Sequence, residues 1–222
     1  MIITKQLKKS FKDGEIETEV LKGIDLTIGT GEFVAIMGRS GAGKSTLLYQ
    51  ISLLDEPTSG DIFIDNRNTG VMTIEEKTKF RLEKLGYVFQ DYALIPELTA
   101  LENVILPLLM LGLPKNEAGE IAIEALAKVG LCNHLHQLPS QLSGGEQQRA
   151  SIARAVAHKP EILFADEPTA NLDNESSKAV MKIFNELHVS GQTIIMVTHE
   201  EEYGKIAEKI IHIDDGRIVP SN

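Results

Sequence analysis

The stretch Gly38-Arg39-Ser40-Gly41-Ala42-Gly43-Lys44-Ser45-Thr46 has the residue types and spacing of a phosphate-binding loop, G-x-x-x-x-G-K-S. Glycines at 38, 41 and 43 let the backbone take positive φ and turn its N–H groups inward. Residues 38–43 then line an anion cradle completed by the positive end of a following helix. Lys44 supplies a point charge for β- and γ-phosphates, the Ser45 hydroxyl suits a Mg²⁺ ligand, and Thr46 reaches toward an α-phosphate. The bare pattern arises by chance in roughly one chain in a hundred of this length. Here it has the required context: the apolar run Phe33 to Met37 precedes it, and Leu47, Leu48, Ile51 and Leu54 follow at helical spacing.

Two other stretches offer chemistry. Asp166-Glu167 closes the apolar run Ile162-Leu163-Phe164-Ala165. An acid at a strand end suits a Mg²⁺ ligand, usually through water, and the next acid can orient and polarise an attacking water. Leu142-Ser143-Gly144-Gly145-Glu146-Gln147-Gln148-Arg149 reads as a helix start, with Ser143 and Glu146 matching a capping box. Two readings stand for it. One is an ordinary well-capped helix. In the other, the amides around Gly144 and Gly145 receive an anion. Phe11 likewise reads either as core packing or as a platform for an adenine ring.

These groups need elements to hold them. Met1 to Leu7 and Val20 to Ile28 read as strands, with Asp13-Gly14 as a hairpin signal. Asp61 to Asp65 and Tyr87 to Gln90 read as further strands, the latter ending on the polar Gln90. Thr73 to Leu85 reads as a charged helix behind a capping box. Thr99-Ala100-Leu101-Glu102 is another capping box opening an apolar helix, and Glu117 to Val129 is helical with Gly130 as its cap. No convincing strand falls between residue 91 and the signature stretch. The apolar run Val104 to Leu113 either packs inside this helical region or lines a groove for a partner helix. After residue 160 come strands at Ile162–Asp166 and Thr193–Thr198, the latter followed by His199, with a helix over Ser176–Val189 between them. A short helix over Glu200–Glu208 and a hairpin around Asp214-Asp215-Gly216 complete the chain. The expected fold is α/β: a mostly parallel sheet with helices on both faces, an N-terminal antiparallel region and an inserted all-helical part. It reads as one domain over 1–222. Residues 1–90 and 155–222 form the core, and 91–154 form the helical subdomain. In such sheets ligands bind at the carboxyl ends of the strands, where the loop, Asp166 and His199 all fall.

Composition narrows the function. The 222 residues carry 42% apolar side chains, enough for a core, and a net charge of −10. That balance argues against a basic nucleic-acid face. One cysteine, Cys132, precludes an internal disulfide and reads as a small core residue. Neither a signal peptide nor a membrane-spanning helix is expected.

The phosphate loop, Gln90, the Leu142–Gln147 signature, Asp166-Glu167, Asn171-Leu172-Asp173 and His199 stand in the order found in ATP-binding cassette (ABC) ATPases, which this chain resembles over essentially its whole length. The resemblance implies that Phe11 stacks on adenine and Gln90 senses Mg²⁺ and a membrane partner. It also implies that Glu167 is the catalytic base, His199 the γ-phosphate sensor, and Asp173 the coupler of two sites across a dimer. It implies that Ser143, Gly144, Gly145 and Glu146 of one copy close over the ATP held by the loop of another. Leu54 to Gly60, Phe89-Gln90-Asp91, Leu94-Ile95-Pro96 and Pro139 to Leu142 are most similar to ATP-binding subunits of the MacB/LolD type. Phe11, Glu146, Asn171 and Glu200 depart from the commonest residues of the family. The implied partners are a second copy of the chain and a transmembrane permease of the MacB/LolC/FtsX kind, with no nucleic acid. The implied place is cytoplasmic, on the inner face of the cell membrane. Two other readings fit parts of the chain: an ABC ATPase in a cell-division signalling complex, and a P-loop kinase, which leaves residues 142–149 and His199 without roles.

Overall fold

The computed structural model describes residues 1–14 and 16–220. In chain order the elements are β1 (Ile2–Asp13), β2 (Ile16–Ile28), β3 (Phe33–Met37), α1 (Lys44–Ile51), β4 (Ser59–Ile64), β5 (Arg67–Asn68), α2 (Ile74–Lys84) and β6 (Leu85–Val88). Then follow α3 (Ala100–Met110), α4 (Lys115–Lys128), α5 (Gly144–Val156), β7 (Ile162–Asp166), α6 (Asn174–Val189), β8 (Thr193–Val197), α7 (Glu201–Gly204), β9 (Lys209–Asp214) and β10 (Arg217–Val219). The chain forms two compact units. One comprises Met1–Lys79 and the chain from Gly191 onward; the other is Phe80–Ser190.

In the first unit, β2, β1, β4 and β5 form an antiparallel sheet, with Phe11 opposite Thr18 and Asp13 opposite Ile16. The strands β10, β9, β3 and β8 lie side by side. β3 runs parallel to both neighbours, from Phe33 beside Ile194 to Ile36 beside Val197, and from Val34 beside Lys209 to Met37 beside His212. All five residues of β3 and of β8 are buried, as strands covered on both faces must be. Both deliver their next residues to the same end: β3 to the phosphate loop and β8 to Thr198 and His199. Asp215 and Gly216, both at positive φ, make the tight turn between β9 and β10 that their residue types favour.

In the second unit, β6 and β7 pair in parallel, from Leu85 beside Ile162 to Val88 beside Ala165. Among the described residues no strand lies between Val88 and Ile162; α3, α4 and α5 occupy that interval. The Thr99 and Ser143 capping boxes both form. Apolar α3 divides its faces. Val104 and Leu108 are buried, which places part of this run in the packing of the helical region, whereas Leu109 and Met110 are 40% and 64% exposed. Gly86 lets α5 lie against β6, since a Cβ there would collide with the Ala155 carbonyl.

Several expectations need correction. The strand before Gln90 stops at Val88, because the Phe89 carbonyl turns to accept from Tyr92 N–H at 3.3 Å and from Gln148 Nε2 at 3.4 Å. Gln90 therefore lies in a turn. Cys132 is exposed rather than part of the core, just past the buried Leu131 that ends the apolar face of α4. The helix after His199 covers only Glu201–Gly204. β1 and β2 run further than their apolar patterns, because ladder bonds carry the hairpin past its buried part to Asp13.

Candidate functional site

In the first unit the loop follows β3 directly. Gly38, Gly41 and Gly43 sit at φ 151°, 78° and 100°, backbone that other residues rarely adopt. A Cβ on Gly43 would stand 3.0 Å from the Val20 carbonyl of β2, while Gly41 faces open space. Gly43 is the N-cap of α1 and gives it no side-chain cap, so no side chain of the cap closes off the amides at this helix start. Lys44 is 6% exposed, and its Nζ donates to the Arg39 carbonyl at 3.1 Å. A buried ammonium beside a helix start without a side-chain cap is an arrangement that attracts a multiply charged anion. Ser45 and Thr46 are half-buried on the first turn of α1; Arg39 and Ser40 are exposed.

Phe11 stands on β1, 49% exposed, with Lys9 Nζ 5.0 Å from its ring centroid. Lys9 is anchored by Asp55 Oδ1 at 2.9 Å and by the Glu56 carbonyl at 2.6 Å. Lys9 and burial act oppositely on the Asp55 carboxyl. Burial is the largest influence and raises its pKa, but the hydrogen bonds and charge of Lys9, with Glu56 N–H and Gln50, leave it below the usual range. The ammonium is drawn to the electron-rich ring face and steadies the ring, while the residue as a whole stays exposed. His199 is exposed, one residue past buried Thr198, whose hydroxyl accepts from Glu200 N–H at 3.1 Å.

In the second unit, β7 ends on Asp166, 5% exposed. Glu167 follows at φ 44°, a left-handed conformation that is costly for a non-glycine residue and is found preferentially at functional sites. Its carbonyl accepts from Ala170 N–H at 3.1 Å, closing a turn that leaves the side chain half-buried. Gln90 is exposed, and its own carbonyl accepts from Asn171 Nδ2 at 3.0 Å.

The signature stretch starts α5. Exposed Ser143 is its N-cap. The Ser143 N–H and hydroxyl both donate to Glu146 Oε2, at 2.8 and 2.7 Å. Those bonds hold the Glu146 carboxyl below its ordinary range. His134 Nε2 lies 3.5 Å from Glu146 Oε1. A Cβ on Gly145 would meet Ser176 Oγ at 2.6 Å and Ser176 Cβ at 2.8 Å, so packing calls for glycine there, whereas one on Gly144 would press only on the Tyr92 Oη end at 2.9 Å. Asp173 caps α6, accepting from Glu175 and Ser176 N–H, each at 2.9 Å, and from Ser176 Oγ at 2.8 Å.

Sequence reasoning missed Lys9, whose spacing of two from Phe11 on one strand was the available signal. It also left Gln148 and Arg154 of α5 unassigned; both reach the turn that carries Gln90. By donor type, the hydroxyl of Ser45 in the first unit suits a hard cation such as Mg²⁺, and in the second unit so do the carboxamide oxygen of Gln90 and the buried carboxylate of Asp166. Among the described residues no three His, Cys, Asp or Glu side chains gather as a metal-binding group.

Residues 21–170 match the family model described as ABC transporter. The chain is 50% identical over 201 residues, 90% of both chains, to the lipoprotein-releasing system ATP-binding protein LolD of Aquifex aeolicus. It is 47% identical over 219 residues to the macrolide export ATP-binding/permease protein MacB of Aggregatibacter actinomycetemcomitans, matching 99% of this chain and 34% of that protein. The fold superposes with a TM-score of 0.94 and 42% identity on the dimeric post-hydrolysis state of the ATP-binding cassette MJ0796 bound to ADP and Pi, covering 100% and 98% of the two chains.

Proposed function

Because this chain belongs to the ABC transporter family of ATP-binding cassettes, we propose that it is the ATP-binding and ATP-hydrolysing subunit of a membrane transporter of the export or lipoprotein-release type. The observation that carries this reading is the phosphate loop: a helix start without a side-chain cap, reached through three positive-φ glycines, beside a buried lysine. A nucleoside triphosphate uses those groups together.

The residues divide the work as follows. The amides of residues 38–43 and Lys44 Nζ hold the β- and γ-phosphates, Thr46 reaches the α-phosphate, and Phe11 stacks on adenine. Ser45, Gln90 and Asp166 hold Mg²⁺, which when bound neutralises developing charge on the phosphoryl oxygens. Glu167, whose backbone sits at a strained φ of 44°, accepts a proton from the attacking water. His199 donates a hydrogen bond to the γ-phosphate. The signature residues Ser143, Gly144, Gly145 and Glu146 belong to the partner copy's ATP, in a head-to-tail pair with two sites. Asp173, at the start of α6, couples them.

No helix among the described residues is long and apolar enough to cross a membrane. On this reading the subunit works on the inner face of the cell membrane through a permease of the MacB/LolC/FtsX kind. The exposed Leu109 and Met110 face of α3 is the natural docking side. Glu167→Gln tests the reading. It removes the proton acceptor and keeps the shape, so ATP binding persists, turnover falls at least about a hundredfold, and a dimer accumulates with ATP. Hydrolysis is followed by phosphate release and the dimer by light scattering. Wild-type turnover in this variant would remove Glu167 from the mechanism.

A further inference from the structure

The turn that carries Gln90 is held by its backbone carbonyls. Phe89 O accepts from Gln148 Nε2 at 3.4 Å, Gln90 O from Asn171 Nδ2 at 3.0 Å, and Tyr92 O from Arg154 Nη2 at 3.0 Å. Ala93 O accepts from Arg154 Nη1. Tyr92 and Ala93 sit at φ 64° and 49°, two successive left-handed residues without a glycine between them. Such backbone persists only where its surroundings over-determine it. The fork of one guanidinium, gripping both carbonyls, does that.

Gln148, Ser151 and Arg154 lie three residues apart on one face of α5, the helix that begins with the signature serine. Arg154 Nη2 also reaches Ser151 Oγ at 3.4 Å. Among the described residues no carboxylate pairs with Arg154, and burial lowers its pKa. Gln148 is fully buried, and its Nε2 also donates to Pro168 O at 2.9 Å, the residue after Glu167. Its Oε1 is buried without a partner. A desolvated cation spent on neutral carbonyls, and an amide left half-satisfied, are poor choices for packing alone. They make sense if the position of the turn matters.

We propose that Arg154 and Gln148 are positioning residues for Gln90: they fasten its turn to the signature helix, so that Gln90 and the signature serine move as one body. The proposal rests on the role given to Gln90 above. Asn171 secures the same turn from the segment after Glu167. A shift of α5 then carries Gln90 with it, and the Gln148 link to Pro168 passes the shift toward Glu167.

Steady-state ATPase assays on Arg154→Met, Gln90→Ala and the double variant test this, with hydrogen exchange on the turn. The expected result is that Arg154→Met lowers kcat about tenfold with KM for ATP within about twofold. In the Gln90→Ala background the same change lowers kcat less than about twofold, because Arg154 acts through Gln90. Amides of Tyr92 and Ala93 exchange at least about tenfold faster in Arg154→Met while those of β7 keep their protection. Arg154→Lys, which keeps the charge and loses the fork, recovers part of the loss. It also carries the same comparison if Arg154→Met does not fold. An equal fall in kcat in both backgrounds, or unchanged exchange at Tyr92 and Ala93, overturns the proposal. A Gln90→Ala chain as active as wild type overturns the role of Gln90 on which the proposal stands. A wild-type chain without ATPase activity overturns the function itself.

Discussion

A methyl group on Gly38 would collide with the Ile213 carbonyl, whereas one on Gly41 would meet open space. The two glycines therefore fail differently. Gly38→Ala forces β9 away from the loop and costs on the order of 1–3 kcal/mol, a fall of several degrees in thermal midpoint. Gly41→Ala carries only the strain of φ 78°, about 1 kcal/mol, and its main effect is weaker nucleotide binding. Scanning fluorimetry with and without ATP separates them. At Asp173 the expected effect is one of pH. The Ser176 N–H and hydroxyl, with Glu175 N–H, hold its carboxyl below the usual value of 3.8. A depressed folded pKa adds stability above the unfolded value and loses it as pH falls through the folded one. Asp173→Asn keeps a good helix cap without the charge. The variant and wild type should differ most near neutrality and converge in melting temperature as pH falls below 3.8. A gap that widens in acid would contradict this.

Helix starts sort the elements. Thr99 with Glu102, Ser143 with Glu146, and Asp173 close the starts of α3, α5 and α6 with side-chain oxygens, while α1 begins at a glycine that offers none. An unclosed start leaves its amides to a ligand; a closed one has to exchange a partner first. At α5 the partner is the Glu146 carboxylate, a negative charge where the proposed γ-phosphate of a second copy arrives, with His134 Nε2 3.5 Å from it. Glu146→Gln keeps an acceptor for Ser143 and removes the charge. ATP-dependent dimerisation should then need a few-fold less ATP, a modest gain because the site is partly exposed and screened. A light-scattering titration measures it. An increased ATP requirement would show that the carboxylate assists closure.

At the scale of the whole molecule, head-to-tail pairing makes a prediction that neither unit makes alone. Lys44→Ala spoils the loop, and Ser143→Arg blocks the signature. Each variant by itself should neither trap nor hydrolyse ATP. Mixed, the two variants should regain about one nucleotide per mixed pair. The loop of the Ser143→Arg copy meets the signature of the Lys44→Ala copy, and that site is intact. If loop and signature served the same ATP within one copy, every site in the mixture would stay broken. Retention of labelled ATP on mixing decides between them.

The amino-acid sequence by itself determined β3, β7 and β8, as unbroken apolar runs. It also determined the glycine loop and the capping boxes at Thr99 and Ser143. Each of these is a local matter, settled by side-chain period and hydrogen bonds within a few residues. Only the tertiary structure decided that Gln90 sits in a turn rather than on a strand, that Cys132 faces solvent, that Lys9 steadies Phe11, and that Arg154 grips Tyr92 and Ala93. For the Gln90 turn and for Arg154 the partners are backbone carbonyls, which no local pattern singles out. A carbonyl looks the same in every residue, so nothing in the chain announces which distant side chain will claim it.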